Sequence, residues 1–272
     1  MPDIVRIYSE NNDFQHLEVL KRNRLKRTQS GEFFVEGVKP IELLIKNNWC
    51  VSAFAYSEER LSDWAKNILK NSTADKHFEL PLGLMEKLSD KEEFSELLAI
   101  AKILEDDLSR IKIKNTLLLV VFDRPSSPGN LGTLIRSCDS LGVDGLIVTG
   151  HSVDIYDPKT IHASLGTLFS LPVVRLQSDK EVLEYIRDLE KKIGAIQIVG
   201  SSAKAQKEIH DQDFRPPTVL LVGNEMHGLS SNYKTMSTVL VKIPMHGSAS
   251  SLNVANAASI ILYEIYRQRK YQ

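Results

Sequence analysis

Three short polar loops in the second half of the chain carry residue types that could do chemistry. They are residues Pro128–Gly132 followed by Arg136, residues Gly223–Leu229, and residues Ile243–Val254. Each loop mixes glycine with amide, carboxylate or guanidinium side chains, and each lies beside a run typical of a β-strand. Ligands bind at the carboxyl ends of the strands in a parallel sheet, so these loops predict one shared pocket.

The elements that must position the loops alternate between strands and helices. The predicted strands are residues 117–122, 145–149, 172–174, 195–199, 219–222 and 239–241, and the predicted helices are about residues 131–141, 179–191 and 254–267. The first strand is apolar throughout, which is typical of a strand buried on both faces. This alternation predicts an α/β fold with a parallel sheet.

The first half of the chain predicts a separate α/β unit. Strands are expected at residues 33–35, 51–56 and 97–101, with helices beginning at Pro40 and containing Leu61, Trp64 and Ile68. The acidic residues 105–107 interrupt the apolar pattern, so the boundary is expected within residues 105–115. We therefore predict two domains, residues 1–108 and residues 109–272, as the length of 272 residues suggests.

The composition is that of a globular protein, with 42% hydrophobic residues, 25% charged residues and a net charge of −1. No apolar run approaches the ~20 residues that span a bilayer, and the N-terminus lacks the layout of a signal peptide. Two cysteines, Cys50 and Cys138, favour a reduced cytoplasmic protein without disulfides. Of the histidines, His227 and His246 lie near the proposed site without cysteine or carboxylate companions, so no metal site is expected.

The usual nucleotide-binding motifs are missing, which disfavours a dinucleotide-dependent dehydrogenase and a P-loop nucleotidase. Glycines nevertheless let backbone amides and carbonyls approach a ligand closely and read the edge of an adenine. Gly223, Ile243, Met245 and Leu252 suit such a pocket. Alternatively, the glycines of the second loop serve only tight turns, and Met245 and Leu252 belong to the core.

The three loops, in this order, resemble the motifs of the SpoU (TrmH-like) RNA ribose 2′-O-methyltransferases of the SPOUT superfamily. Residues 162–173 are similar to the segment between the family's motifs, and residues 34–39 resemble its L30e-like N-terminal substrate-binding domain. The resemblance covers nearly the whole chain. It implies a C-terminal α/β knot, a parallel sheet with a deep trefoil knot, preceded by a smaller L30e-like α/β domain. It also implies an S-adenosylmethionine pocket and a homodimer formed through the knotted domain.

The family's pattern also implies roles for individual residues. The positions that match its cofactor pocket are Thr149, Gly223, Ile243, Met245 and Leu252. The positions that match catalysis and site architecture are Asn130, Arg136, Glu225, Ser251 and Asn253. Four positions depart from the pattern. Ser127 stands where aspartate or asparagine is common, Met226 where glycine is usual, His162 where arginine is common, and Ser250 where glutamate is frequent, although some members have serine there. These departures leave the identity of the substrate open.

Several of these side chains have alternative interpretations. Arg136 is either the base that takes the ribose proton or a bidentate clamp on the adjacent phosphate, and a guanidinium pKa above ~12 favours the clamp. A structural salt bridge is a further alternative for Arg136. Glu225 is either catalytic or an acceptor for loop amides, while Asn130 and Ser251 could each cap a helix.

A basic run in the first half suggests contact with RNA. It comprises Lys21, Arg22, Arg24, Lys26 and Arg27. An exposed helix is often lined in this way without function. Beside an RNA-modifying domain, phosphate contact by Arg22, Arg24, Lys26 and Arg27 becomes the favoured interpretation, with a salt-sensitive affinity.

The leading functional hypothesis is a ribose 2′-O-methyltransferase acting on 23S ribosomal RNA. Ribosomal RNA is favoured over tRNA because the extra N-terminal domain resembles a ribosomal-protein fold. The alternatives are a tRNA 2′-O-methyltransferase, a base methyltransferase of the same superfamily, and a non-catalytic RNA-binding scaffold. The presence of Asn130, Arg136, Glu225 and Asn253 argues against the scaffold.

Overall fold

The computed structural model describes residues 2–89 and 94–270. Packing divides the chain into two compact units, which we call the N-terminal unit (Met1–Glu105 and Asp154–Ser170) and the C-terminal unit (Asp106–Val153 and Leu171–Gln272). The predicted division into domains 1–108 and 109–272 stays a prediction, and its outer limits, Met1 and Gln272, lie outside the described residues.

The strands alternate with helices along the described ranges. The strands are β1 (Asp3–Arg6), β2 (Glu32–Glu36), β3 (Val51–Tyr56), β4 (Lys76–Glu79), β5 (Leu97–Lys102), β6 (Leu118–Asp123), β7 (Gly145–Thr149), β8 (Val173–Leu176), β9 (Gln197–Ser201), β10 (Lys207–Glu208), β11 (Thr218–Val222) and β12 (Val239–Lys242). The α-helices are α1 (Asn12–Arg22), α2 (Arg24–Ser30), α3 (Val38–Lys46), α4 (Asp63–Lys70), α5 (Leu82–Leu88), α6 (Pro128–Ser140), α7 (Pro158–Ser164), α8 (Asp179–Ile193), α9 (Ser231–Met236) and α10 (Val254–Lys270).

A mixed sheet with strand order β1-β4-β3-β5-β2 forms the frame of the N-terminal unit. Strand β5 runs antiparallel to both β2 and β3, whereas β1, β4 and β3 are parallel. Helix α1 contributes Phe14, Leu17 and Leu20 to the core, because residues three apart share one face of a helix. They pack in one cluster with Phe34 of β2 and Ile100 of β5.

Residues 154–170, which follow β7 in the chain, complete the core of the N-terminal unit. The ring of Tyr156 lies 4.6 Å from that of Phe33, and Trp49 Nε1 donates to the carbonyl of Phe169 at 3.0 Å. The four aromatic side chains Phe33, Trp49, Tyr156 and Phe169 are all buried. The N-terminal unit is therefore built from two separate stretches of chain.

The C-terminal unit contains a parallel sheet with strand order β10-β12-β9-β11-β6-β7-β8. Every strand pairing recorded within it is parallel, which confirms the predicted α/β class. Strand β6 lies between β11 and β7 and is buried along its whole length, as its apolar sequence predicts. The trefoil knot stays a prediction of the resemblance.

Two local differences from the sequence-based prediction have simple causes. Helix α6 begins at Pro128 rather than at residue 131, because Ser127 accepts a hydrogen bond from Asn130 N as the N-cap and proline suits the first helical position. The four-residue strands β1 and β4 were not predicted, because their short runs include charged residues such as Arg6 and Lys76. Among the described residues, no helix is both long enough and apolar enough to cross a membrane.

Candidate active site

The candidate site lies at the carboxyl ends of the parallel strands in the C-terminal unit. Asp123, the last residue of β6, pairs in register with Thr149, the last residue of β7, and Phe122 pairs with Val222 of β11. The loops that follow these strands therefore leave the sheet at one edge. This is the edge at which the sequence predicted the pocket.

The carboxylate of Glu225, in the second loop, binds the start of the first loop. Its Oε2 accepts hydrogen bonds from the backbone N and the hydroxyl of Ser126, at 2.9 Å and 2.7 Å. Its Oε1 accepts from Ser127 N at 3.0 Å and from Asn130 Nδ2 at 3.2 Å. Glu225 thus fixes the loop that enters α6, which matches the architectural interpretation of this residue.

These contacts also determine the protonation of Glu225. Burial alone raises the pKa of the carboxyl, but hydrogen bonds from Ser126, from the backbone and from Asn130 outweigh it and lower the pKa. The group is therefore an anion at neutral pH. An anion whose oxygens already hold several donors is suited to fixing loops rather than to accepting a substrate proton.

Asn130 connects the first loop to the third. Its Oδ1 accepts a hydrogen bond from Asn253 Nδ2 at 3.0 Å, while its Nδ2 donates to Glu225. Asn253 in turn accepts from the backbone N of Ala255 and of Asn256 and so caps α10. One continuous set of hydrogen bonds therefore joins Glu225, Asn130 and Asn253, one residue from each predicted loop.

The capping alternatives raised for Asn130 and Ser251 are wrong. The N-cap of α6 is Ser127, so Asn130 lies within the first turn of the helix and its side chain bridges the other two loops. At α10 the capping side chain is that of Asn253. Ser251 is exposed and makes no hydrogen bond to any residue in the described ranges.

The second loop is a rigid turn whose geometry requires glycine at its start. Asn224 and Gly228 exchange two backbone hydrogen bonds of 3.1 Å and 2.9 Å. A Cβ atom added to Gly223 would lie 2.2 Å from Leu229 N and 2.3 Å from the carbonyl carbon of Gly228. Position 223 therefore requires glycine, because any larger residue would displace the backbone of Gly228 and Leu229.

The third loop leaves backbone groups available for a ligand. Ile243 is half-buried, and Met245 and Leu252 are 37% and 39% exposed, so the two exposed side chains are not core residues. Within the described ranges, the amides and carbonyls of residues 243–252 form no hydrogen bonds. A loop with free backbone groups and partly exposed apolar side chains fits a purine ligand, whose edge needs donors and acceptors and whose faces need apolar contact.

Thr149, the last residue of β7, is held by two hydrogen bonds. Its hydroxyl accepts a hydrogen bond from Tyr233 at 3.2 Å, and its carbonyl accepts from Arg124 N at 3.1 Å. Burial raises the pKa of Tyr233 to about 12, so the phenol keeps its proton and remains the donor. The Thr149 side chain is itself buried, and its hydrogen bonds hold the end of β7 in place.

Arg136 lies on α6 with an exposed side chain. Its side chain forms no hydrogen bond or ion pair with any residue that the structure describes, so the salt-bridge alternative finds no partner there. Its guanidinium is therefore accessible to a phosphate from solution. Asn130 and Arg136 both lie on this helix, six residues apart.

Sequence analysis missed a pair of charged residues at the end of β6. Arg124 has φ of 52°, unusual outside glycine, and its guanidinium binds the buried Asp123 carboxylate through Nε and Nη2 at 2.8 Å and 2.9 Å. Asp123 also accepts from Ser230 N, and the Arg124 carbonyl accepts from Asn224 Nδ2 at 2.7 Å. The sequence signal that could have revealed this pair is two adjacent charged residues directly after an apolar strand and before Pro125.

The basic run does not form one exposed surface. Arg27 is 1% exposed; its guanidinium binds Asp154 at 2.8 Å and donates to the carbonyls of Leu20 and Lys21. The prediction that Arg27 contacts RNA is therefore corrected, because its charge is already used inside the N-terminal unit. Arg22, Arg24 and Lys26 are exposed, and Arg22 pairs with Glu18 one helical turn away.

No group of three or more metal-binding side chains occurs within residues 2–89 and 94–270. The arrangement at the carboxyl edge is instead a set of amides, the Glu225 carboxylate, the Asp123–Arg124 ion pair and accessible backbone. These groups can bind and orient an organic ligand.

Comparisons with known proteins agree with this fold. The SpoU rRNA Methylase family matches residues 117–263, and the SpoU L30e-like domain matches residues 11–99. The chain is 45% identical over 269 residues to the 23S rRNA (uridine(2479)-2′-O)-methyltransferase of Streptomyces viridochromogenes, covering 98% of this chain and 94% of that protein. It is 25% identical to the 23S rRNA (guanosine(2553)-2′-O)-methyltransferase RlmP of Bacillus subtilis, covering 88% of this chain and 90% of that protein.

The three-dimensional comparison gives the same result. The structure superimposes on the SpoU methyltransferase AviRb from Streptomyces viridochromogenes in complex with the cofactor AdoMet, with a TM-score of 0.89 and 44% identity. The match covers 95% of this chain and 99% of the AviRb chain. The chain therefore belongs to the SpoU rRNA methylase family and carries its L30e-like domain, which confirms the predicted family.

Proposed function

We propose that this chain transfers a methyl group from S-adenosylmethionine to a ribose 2′-hydroxyl of 23S ribosomal RNA. The observation that carries the proposal is the hydrogen-bonded connection from Glu225 through Asn130 to Asn253, which unites the three loops. The similarity to a 23S rRNA ribose methyltransferase over nearly the whole chain, and to a structure holding AdoMet, supports this substrate and this methyl donor.

The methyl donor fits the third loop and the turn at Gly223. Gly223 places backbone at the strand end without a side chain, Ile243, Met245 and Leu252 supply apolar surface, and the loop backbone supplies donors and acceptors. Bound S-adenosylmethionine supplies an electrophilic methyl group. The remaining task of the chain is to bind the ribose in line with that methyl and to provide a path for the hydroxyl proton.

We propose that Arg136 and the three loops orient the ribose for this transfer. The exposed guanidinium of Arg136 binds a backbone phosphate next to the target ribose as a bidentate clamp. Asn130, Glu225 and Asn253 fix the loops, and Ser251 lies beside Asn253 with an exposed hydroxyl for the ribose. The proton of the 2′-hydroxyl passes to the phosphate or to water, because a guanidinium with a pKa above ~12 stays protonated and has no lone pair with which to accept it.

We further propose a homodimer formed through α10 of the C-terminal unit. Ile260 and Tyr263, three residues apart on one face of α10, are 40% and 56% exposed. A second copy would bury this apolar pair. Light scattering during gel filtration tests the proposal: Tyr263→Asp should convert a dimer into a monomer, and a monomeric wild type would contradict it.

The exposed basic side chains Arg22, Arg24 and Lys26 are proposed to bind RNA phosphates from the N-terminal unit. We also propose a cytoplasmic location, because the two free cysteines, Cys50 and Cys138, suit a reducing compartment.

Methyl transfer to in vitro-transcribed 23S rRNA with methyl-labelled S-adenosylmethionine tests the function. Wild type should label the RNA, digestion should place the label on a 2′-O-methylated nucleoside, and Arg136→Ala should lose most of the activity. Arg136→Lys should keep an intermediate rate, since it retains the charge but not the bidentate geometry. Label on a base, or equal label with Arg136→Ala, would contradict the proposed mechanism.

A further inference from the structure

The tip of the second loop presents an apolar side chain that the chemistry above does not use. Met226 is 83% exposed, more than any other large hydrophobic residue of the described chain. It directly follows Glu225, whose carboxylate binds the first loop. Single exposed apolar residues are common and need no function by themselves. Met226 differs from other exposed apolar residues because hydrogen bonds fix the backbone that carries it.

The backbone of the turn that carries Met226 is held by several hydrogen bonds. Asn224 Oδ1 accepts hydrogen bonds from the backbone N of Met226 at 2.9 Å and of His227 at 3.0 Å. Asn224 Nδ2 donates to the carbonyl of Arg124, and the Asn224–Gly228 backbone pair closes the turn. Gly228 has φ of +65°, which permits this tight closure. The turn is therefore stable without any contribution from the Met226 side chain.

A rigid turn that holds an exposed methionine beside the reacting site is suited to an unstacked nucleobase. RNA enzymes that reach a ribose in a loop meet bases without stacking partners, and apolar or aromatic side chains replace the lost stack. The thioether of methionine is polarizable and adapts to the face of a ring. His227, the next residue, is also exposed and adds a planar ring at the same tip.

We propose that Met226 packs against an unstacked base of the substrate RNA next to the methylated ribose and so contributes to the choice of nucleotide. This inference rests on the proposed RNA methyltransferase function. It assigns Met226 a role in RNA binding that is separate from binding of the methyl donor. The residue also stands where the family's pattern has glycine, so it is a feature of this chain rather than of the shared chemistry.

Steady-state methyl transfer to in vitro-transcribed 23S rRNA tests the proposal. For Met226→Gly and Met226→Ser we expect the KM for RNA to rise about threefold to tenfold, the effect of losing one apolar contact. Met226→Leu should stay near wild type because it keeps the apolar area. The matched control is Ile113→Ser, an exposed apolar residue outside the three loops, which should leave KM unchanged.

Two further measurements separate the possible failures. Calorimetric titration with S-adenosylmethionine should give the same affinity for wild type and all Met226 variants; a parallel loss would show damage to the turn and overturn the proposal. A diazirine amino acid at position 226 should cross-link to the RNA transcript. Cross-linking only to a second protein copy, or an unchanged KM in an active Met226→Gly enzyme, would also overturn it. A wild type that binds S-adenosylmethionine but labels no RNA would instead contradict the proposed function.

Discussion

Asn253 Nδ2 lies 3.0 Å from Asn130 Oδ1 and donates a hydrogen bond to it across 123 residues of sequence. The same Asn130 amide donates from its nitrogen to Glu225, so one side chain uses both of its polar atoms to hold two other loops. An asparagine is needed for this bridge because aspartate cannot donate and alanine can do neither.

Asn130→Ala should therefore disturb all three loops. We expect kcat/KM for RNA methylation to fall about 100-fold, the effect of shifting a reacting group by roughly 1 Å. Asn130→Asp should be at least as harmful, because it places a second carboxylate beside the Glu225 anion. Steady-state kinetics checks the result, with Asn71→Ala, an exposed asparagine of the N-terminal unit, as the control. Wild-type kinetics for Asn130→Ala would contradict the bridging role.

Glu225 should contribute to stability in a pH-dependent way. Its pKa is lower in the folded protein than in the unfolded chain, so its contribution is present above the ordinary carboxyl pKa of ~4.3. The contribution is lost as pH falls through the lower folded pKa. Glu225→Gln should reduce the free energy of unfolding by about 1–2 kcal/mol at pH 7, allowing for solvent screening, and by less near pH 3.5. Urea denaturation at both pH values measures this, and an equal loss at both would contradict the assignment.

The buried pair of Arg27 and Asp154 should hold the two stretches of the N-terminal unit together. Arg27→Ala leaves the Asp154 carboxylate buried with its main partner removed, so the free energy of unfolding should fall by about 3–5 kcal/mol. Lys26→Ala, an exposed neighbour, should change it by less than about 0.5 kcal/mol. Chemical denaturation compares the two, and equal stability of both variants would show that the pair contributes little.

The exposed members of the basic run should act on RNA affinity instead. Replacing Arg22, Arg24 and Lys26 together by alanine should weaken RNA binding and lower the slope of log affinity against log salt by about 2, as expected for two or three lost phosphate contacts. Filter binding across a salt series gives the slope. Lys66→Ala with Lys70→Ala on α4 is the matched control. An unchanged slope in the triple variant would remove these residues from the RNA surface.

The sequence was sufficient for the parallel sheet and for the convergence of the loops. Strands such as β7 were predicted at their observed limits, because an apolar run between turn residues has few alternatives. Glu225 and Asn130 were predicted as site residues, but the hydrogen bond between them was not. A hydrogen bond between residues 95 apart leaves no local pattern in the sequence.

The corrections arise from tertiary packing that a linear pattern does not contain. Arg27 has the same residue type and spacing as its exposed neighbours, and only the return of residues 154–170 to the N-terminal unit buries it. The Asp123–Arg124 pair similarly depends on a backbone conformation at Arg124 that residue type does not favour.

The central claim is that the loops at residues 130, 223 and 252 form one pocket for S-adenosylmethionine. Isothermal titration calorimetry of the pure protein tests it most directly, with Gly223→Ala and the matched Gly83→Ala, where a new Cβ meets nothing within 4 Å. We predict saturable binding of one S-adenosylmethionine per chain, weakened at least about tenfold by Gly223→Ala, a change of ~1.4 kcal/mol, and unaffected by Gly83→Ala. No binding by wild type, or equal affinity for wild type and Gly223→Ala, would contradict it.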